Sequence, residues 1–113
     1  MICEAWDIAV VPFPFPDSAA VKRRPALVLS TLGFNRSSGH TILAMITTAR
    51  QSSWPGDTSL SSAATGLPKD CLVRMKLFTL DNRFIVRVIS KLPAKERQKV
   101  RTSMEQALGV LAG

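Results

Sequence analysis

The stretch "CLVRMKLFTLDNRFIVRVIS", residues 71–90, decides the fold. Two runs rich in β-branched, aromatic and long apolar residues flank Asp81-Asn82. Residues of this type between two strands suit a tight hairpin, because both tolerate positive φ. With Asp81 and Asn82 as the turn, Leu80 faces Arg83, Phe78 faces Ile85, Lys76 faces Arg87 and Arg74 faces Ile89. The other face sets Val73, Met75, Leu77 and Thr79 against Ser90, Val88, Val86 and Phe84. That face is almost wholly apolar and is expected to point into the core. Lys76 opposite Arg87 costs about 0.2–1 kcal/mol. A bound anion or a neighbouring carboxylate would relieve that repulsion, and so would a solvated face of splayed side chains.

Working upstream, "DIAVVPFPF" reads as a strand interrupted by Pro12 and Pro14. Those prolines cannot donate to a ladder, so the strand has a free edge or ends early. In "VKRRPALVLS" three cations, Lys22, Arg23 and Arg24, run into Pro25 and then a short apolar run expected to be an interior strand. "TLGFNRSSGH" reads as a connection because of Gly33, Asn35 and Gly39. "TILAMITT" is the next strand, and "ARQSSWPGDTS" is a loop turning at Pro55-Gly56. A weak strand is expected around Thr58–Leu60, followed by the small-residue loop "SSAATGLPKD". After Leu92-Pro93 the apolar positions Val100, Met104, Ala107, Leu108 and Leu111 form one helical stripe. The expectation is a mainly β fold, one domain over residues 1–113, in which a strongly bent sheet or barrel is capped by a C-terminal helix.

The chain has 113 residues, 46% of them hydrophobic and 20% charged, which suits a folded domain with a modest core. No apolar run approaches the length of a bilayer span, and "MICEAWDIAV" has no signal-peptide pattern. Cys3 and Cys71 are far apart and His40 is the sole histidine, so neither a metal nor another cofactor is expected. Reduced thiols fit a cytoplasmic protein. The net charge is +7 and uneven: +1 over residues 1–67 and +6 over residues 68–113. Such a balance attracts polyanions, nucleic acid above all, although it also serves solubility. Glycine-rich nucleotide loops and the common hydrolase motifs are absent. Phe13 and Phe15 share a strand face and could be core or stack on bases. Trp54, in a polar loop, could stack on a ligand, sit at an interface or fold over a local apolar patch.

The ordered set "WDIAVVPFPF…KRRPALVLS…FN…GHTILAMITT…WPGD…GLP…VRMKLFTLD" resembles the MazF/PemK family of bacterial toxins, specifically its PemK-like members, over about residues 6–111. The order and spacing of the whole set carry the resemblance. It implies an SH3-like, strongly curved β-barrel with a C-terminal α-helix that forms a homodimer. It further implies a metal-independent endoribonuclease, an mRNA interferase acting on single-stranded RNA, held inactive by a cognate antitoxin.

The resemblance gives the Arg-Pro pair and the Ile-Thr pair meaning. Arg24 and Thr47 become the catalytic residues, with Thr48 beside them. Pro25 restricts Arg24 to an extended backbone, which gives a flexible side chain a fixed root. The implied reaction is attack of a ribose 2′-OH on the adjacent phosphate. Thr48 joins Lys22, Arg23, Arg50, Trp54, Arg74 and Lys76 in the expected RNA-binding set. Two departures leave the general base open. Some relatives have an acid where Lys76 stands, and others have a histidine in the loop before Arg24-Pro25. Asp57, Asp70 and Asp81 are the remaining carboxylate candidates. An antitoxin's acidic tail is expected to lie across the dimer's basic groove and block Arg24. The alternatives are a non-catalytic module on the same fold, as in the gyrase-poisoning toxin CcdB, and a barrel that only binds RNA.

Overall fold

The apolar runs alternate between two buried sides, and this sets the architecture. A computed structural model describes residues 1–12, 22–48 and 54–111. Its strands are β1 (Asp7–Pro12), β2 (Arg23–Val28), β3 (His40–Thr48), β4 (Thr58–Leu60), β5 (Cys71–Asp81) and β6 (Arg87–Lys91). Its helices are α1 (Leu32–Ser38), α2 (Ser62–Thr65) and α3 (Ala94–Ala107). The strands form one antiparallel sheet in the order β4-β5-β3-β2-β1-β6. Ile8, Leu27, Ala44, Ile46, Leu60 and Val73 bury on one side, with Leu92 and Val100 of the covering segment. Their neighbours Ala9, Val11, Ala26, Val28 and Leu43 bury on the other, with Cys3 and Ile85. A sheet covered on both faces reads as continuous apolar runs, as these strands do.

The sheet curls where its ladders are irregular. Ala44 opposes Leu77, but the next residue, Met45, opposes Arg74, so Met75 and Lys76 bulge out of β5. A second irregularity lies between Ile8 and Ala9 on the β1–β6 pairing. Bulges bend a strand and increase its twist. The result is the strongly curved, mainly β sheet with a C-terminal helix that the sequence led us to expect.

The hairpin at Asp81-Asn82 is overturned. A two-residue turn of that kind needs positive φ at its centre, and among described non-glycine residues only Trp6 has one, at 74°. Instead the Asp81 carboxylate accepts the Arg83 N–H at 2.9 Å and caps a 3₁₀ turn over Asn82–Phe84. The Asn82 side chain is buried. It accepts from the Thr41 hydroxyl and donates to the Asn35 carbonyl, both at 2.7 Å. These bonds carry the chain across the end of the sheet to its far edge, where β6 pairs with β1. Lys76 and Arg87 are therefore not opposed. The core face also divides: Val73, Met75 and Leu77 pack inward as expected, whereas Phe84, Val86 and Val88 are exposed and Ile85 is buried.

Three further differences are local. The segment read as a connection contains α1, whose Thr31 cap accepts the Phe34 N–H and whose Gly39 closes it at φ 71°. Its buried Asn35 donates to the Cys3 carbonyl at 2.9 Å and bonds to the Ser30 hydroxyl. The small-residue loop contains the single-turn α2, capped by Ser61 and closed by Gly66. On α3 the stripe holds at Val100 and Met104, but Ala107 and Leu111 are exposed. Ser103 takes the buried place between, bonded to Thr58 at 2.8 Å. The expected strand at Thr58–Leu60 is β4. Phe13, Phe15 and Pro14 lie outside the described residues.

Asn82→Ala should cost about 2–3 kcal/mol in urea unfolding, because it leaves buried polar groups of Thr41 and Asn35 without their partner. Phe84→Ala, on the exposed edge, should cost under about 1 kcal/mol in the same assay.

Candidate active site

β2 opens on Arg23-Arg24-Pro25, and β3 closes on Ile46-Thr47-Thr48. The two strands are antiparallel with Ala26 opposite Met45. Continuing that register outward carries Arg24 towards Thr47. Both line one open cleft of about 280 Å³, with Pro25, Ile46 and Thr48. The far wall comes from the α2–β5 connection and the start of β5: Leu67, Pro68, Lys69 and Cys71. β5 delivers that wall because Thr48 is opposite Cys71 and Thr47 opposite Leu72.

The cleft is cationic and otherwise largely apolar. Arg24 and Lys69 are its charged members, and no carboxylate or imidazole among the described residues lines it. Burial pushes the Cys71 thiol up, with the Asp70 charge adding to it against a hydrogen bond from Thr65. Cys71 is thus a neutral thiol wall at neutral pH. The donors fit a phosphate: a planar guanidinium with paired N–H groups and adjacent hydroxyls on a strand end.

The other expected site residues divide. Lys22 and Arg23 are exposed at the start of β2, outside the cleft lining. Trp54, Arg74 and Lys76 form a second cluster. Asp57 holds one edge of the Arg74 guanidinium with both its oxygens, Nε donating to Oδ1 at 3.1 Å and Nη2 to Oδ2 at 2.9 Å. The pair is about nine-tenths buried. Asp57 also accepts the Trp54 N–H at 3.0 Å. The Arg74 and Lys76 heads sit 5.4 and 5.6 Å from the Trp54 ring centroid, within cation–π range. Arg50 lies outside the described residues.

The three carboxylates left open as bases are all engaged. Asp57 binds Arg74, Asp70 accepts the Ser62 N–H at 2.8 Å, and Asp81 is paired with Arg83 at 3.0 Å. Among the described residues, no group of three His, Cys, Asp or Glu side chains could hold a metal ion. Sequence reading missed Leu67, Pro68 and Lys69 as cleft residues. Their place in "GLPKD", directly before β5, marks them only once β5 is known to run beside β3.

Burial of Asp57 would raise its pKa, but hydrogen bonds from Arg74 and the Trp54 amide outweigh it and hold the carboxyl below its ordinary range. A depressed folded-state pKa gives stability that is complete above the unfolded value and lost as pH falls through the folded one. Stability should therefore drop from about pH 4 downward. Asp57→Asn should flatten that acid limb in denaturant titrations at several pH values. It should also cost about 3 kcal/mol at pH 7, because Arg74 loses its buried partner.

The sequence model of the family described as "PemK-like, MazF-like toxin of type II toxin-antitoxin system" matches residues 4–108. The chain is similar to Endoribonuclease MazF6 of Mycobacterium tuberculosis, 28% identical over 98 residues that cover 84% of this chain and 86% of that protein. Its similarity to Endoribonuclease MazF2 of Mycobacterium bovis has the same extent. Among solved structures, a MazE–MazF crystal structure (Form-III) from Deinococcus radiodurans superposes with a TM-score of 0.78 at 25% identity. That match covers 96% of this chain and 98% of the other. The Mycobacterium tuberculosis toxin MazF-mt6 gives 0.75 at 19% identity over 91% and 96% of the two chains, a likeness of fold. With the family matched over nearly its whole length on this curved sheet, the chain belongs to the PemK-like, MazF-like toxins of type II toxin-antitoxin systems.

Proposed function

We propose that this toxin is a sequence-specific, metal-independent endoribonuclease that cuts single-stranded RNA in the Arg24–Thr47 cleft. The observation that carries the reading is the meeting of Arg24, Thr47 and Thr48 in one cationic cleft, from residues more than twenty positions apart in sequence. The ribose 2′-oxygen attacks the adjacent phosphorus while its proton leaves to a base. The bond to the 5′-oxygen breaks, and that oxygen takes up a proton. The products are a 2′,3′-cyclic phosphate and a 5′-hydroxyl end. Negative charge grows on the non-bridging oxygens, and Arg24 meets it with paired donors in a partly desolvated site. Thr47 donates to a phosphate oxygen and fixes its orientation for in-line attack. The curved scaffold keeps these groups on strand ends, where their backbone does not have to reorganise.

The same proposal covers the setting. The toxin works in the cytoplasm as a homodimer, and the β6 edge, with exposed Val88 and with exposed Phe84 and Val86 just before the strand, suits pairing with a second copy. No described helix is long and apolar enough to cross a membrane. A cognate antitoxin silences the enzyme by laying an acidic, initially disordered segment over the basic face and across Arg24. The net charge of +7 favours such a segment. Solved relatives include a MazE–MazF complex from Deinococcus radiodurans and an endoribonuclease in complex with its cognate antitoxin from a Mycobacterial species.

Purified protein should cleave a long defined RNA in EDTA, leave cyclic-phosphate ends, and spare DNA. Arg24→Ala and Thr47→Ala should each lower the cleavage rate by about 10²–10³. Intact RNA after incubation with a folded dimer that still arrests growth would replace this reading with a protein target. In the complex, an antitoxin contacting only surfaces remote from Arg24 would remove the blocking model.

A further inference from the structure

We infer that Lys69 is the second phosphate-binding cation of this site, gripping the RNA strand whose scissile phosphate lies on Arg24 and Thr47. The inference rests on the ribonuclease reading above and assigns a residue that the reading leaves without a role. Two cations line the cleft, Arg24 and Lys69, and they stand on different walls. Arg24 comes from the start of β2, and Lys69 from the connection that leads into β5.

The Lys69 root is built to hold still. Gly66 closes α2 in the left-handed region and donates to the Ser62 carbonyl at 2.8 Å. The Leu67 N–H donates to the Thr65 hydroxyl at 3.1 Å, and the Leu67 side chain packs on the core. On the other side Asp70 accepts the Ser62 N–H at 2.8 Å. The Ser90 hydroxyl ties the Thr65 carbonyl to β6. Pro68 fixes the φ immediately before Lys69. A short connection is thus fastened on both flanks of one exposed lysine at the mouth of the cleft.

Charge accounting points the same way. Arg74 is held by Asp57, Arg83 by Asp81, Lys91 by Asp7 and Lys99 by Glu96. Among the described residues Lys69 lines the cleft with no carboxylate of its own there. Its ammonium is a compact point charge on a flexible stem, suited to a phosphate oxygen without demanding one strand geometry. A ligand bridging Arg24 and Lys69 is an extended polyanion with successive negative charges, as an RNA backbone is.

The test uses the full chain and an RNA carrying its mapped cleavage sequence, with a 2′-deoxy nucleotide at the cut so that binding is read without turnover. Kd is measured from low to moderate salt for wild type, Lys69→Gln, Lys69→Arg and the exposed control Lys99→Gln. Lys69→Gln should weaken binding about tenfold and reduce the magnitude of the log–log salt slope by about 0.7, the value for one phosphate contact on a single strand. Lys69→Arg should restore both, and Lys99→Gln should change neither. Replacing backbone phosphates one at a time with neutral methylphosphonates should reveal one position that weakens wild type but not Lys69→Gln. If wild type cleaves the unmodified RNA while Lys69→Gln binds with unchanged Kd and slope, the inference fails and the ribonuclease reading stands. If wild type cleaves no RNA, both fall.

Discussion

The nine residues of β3, from His40 to Thr48, are each opposed by a residue of β5, and everything functional here hangs on that ladder. At one end it sets Thr47 and Thr48 against Leu72 and Cys71, which closes the cleft opposite Arg24. In the middle the Met75-Lys76 bulge turns β5, in the same stretch from which Arg74 reaches Asp57 and Trp54. At the other end Thr41 reaches Asn82, whose buried amide steers the chain away from a hairpin. A slip of one residue in this pairing would exchange the two faces of one strand relative to the other. The two-sided core forbids that, because each face already has its own complement of aliphatic side chains.

That two-sidedness also explains which parts of the fold were legible from sequence. Strand positions were, since apolar runs bounded by Pro, Gly and Asn are strong local signals, and so was the terminal helix with Val100 and Met104 inward. Pairing was not. Residues 71–90 alternate an apolar face with one that holds Arg74, Lys76, Arg83 and Arg87, and that alternation satisfied a hairpin pattern the chain does not adopt. What decides against it is a long-range polar constraint, the buried Asn35–Asn82–Thr41 network, whose members lie up to 47 residues apart. α1 was missed for a more local reason. Gly33 and Asn35 look like loop residues, and the Thr31 and Gly39 caps are informative only once the segment between them is considered as a helix.

The candidate site was legible in part for a similar reason. Arg24 and Thr47 were picked out by the family resemblance, which gives short pairs at strand ends a role, and the sheet brings them into one cleft. The cations of β5 were placed on a common face with Lys76 against Arg87, whereas the fold gives Arg74 a buried carboxylate and a tryptophan face. The wall from Leu67 to Cys71 needed knowledge of which strand neighbours β3. Electrostatically, Arg74 is neutralised within the fold, Arg24 and Lys69 line the cleft, and Lys22 and Arg23 stand exposed outside its lining.

The β1–β6 pairing, which joins Asp7 to Lys91 and Ile8 to Ser90, bears on when this protein can become active. Those contacts span more than eighty residues, and a high share of distant pairings slows folding. The nascent chain cannot close its sheet until β6 has left the ribosome, long after the Arg24 strand and its neighbours β1 and β3 have been made. Contacts of the covering helix α3 with the sheet come later still. The sheet that carries Arg24 and Thr47 is therefore finished only when residues 87–91 are free to pair, so topology by itself postpones the working shape until the chain has been made at least that far.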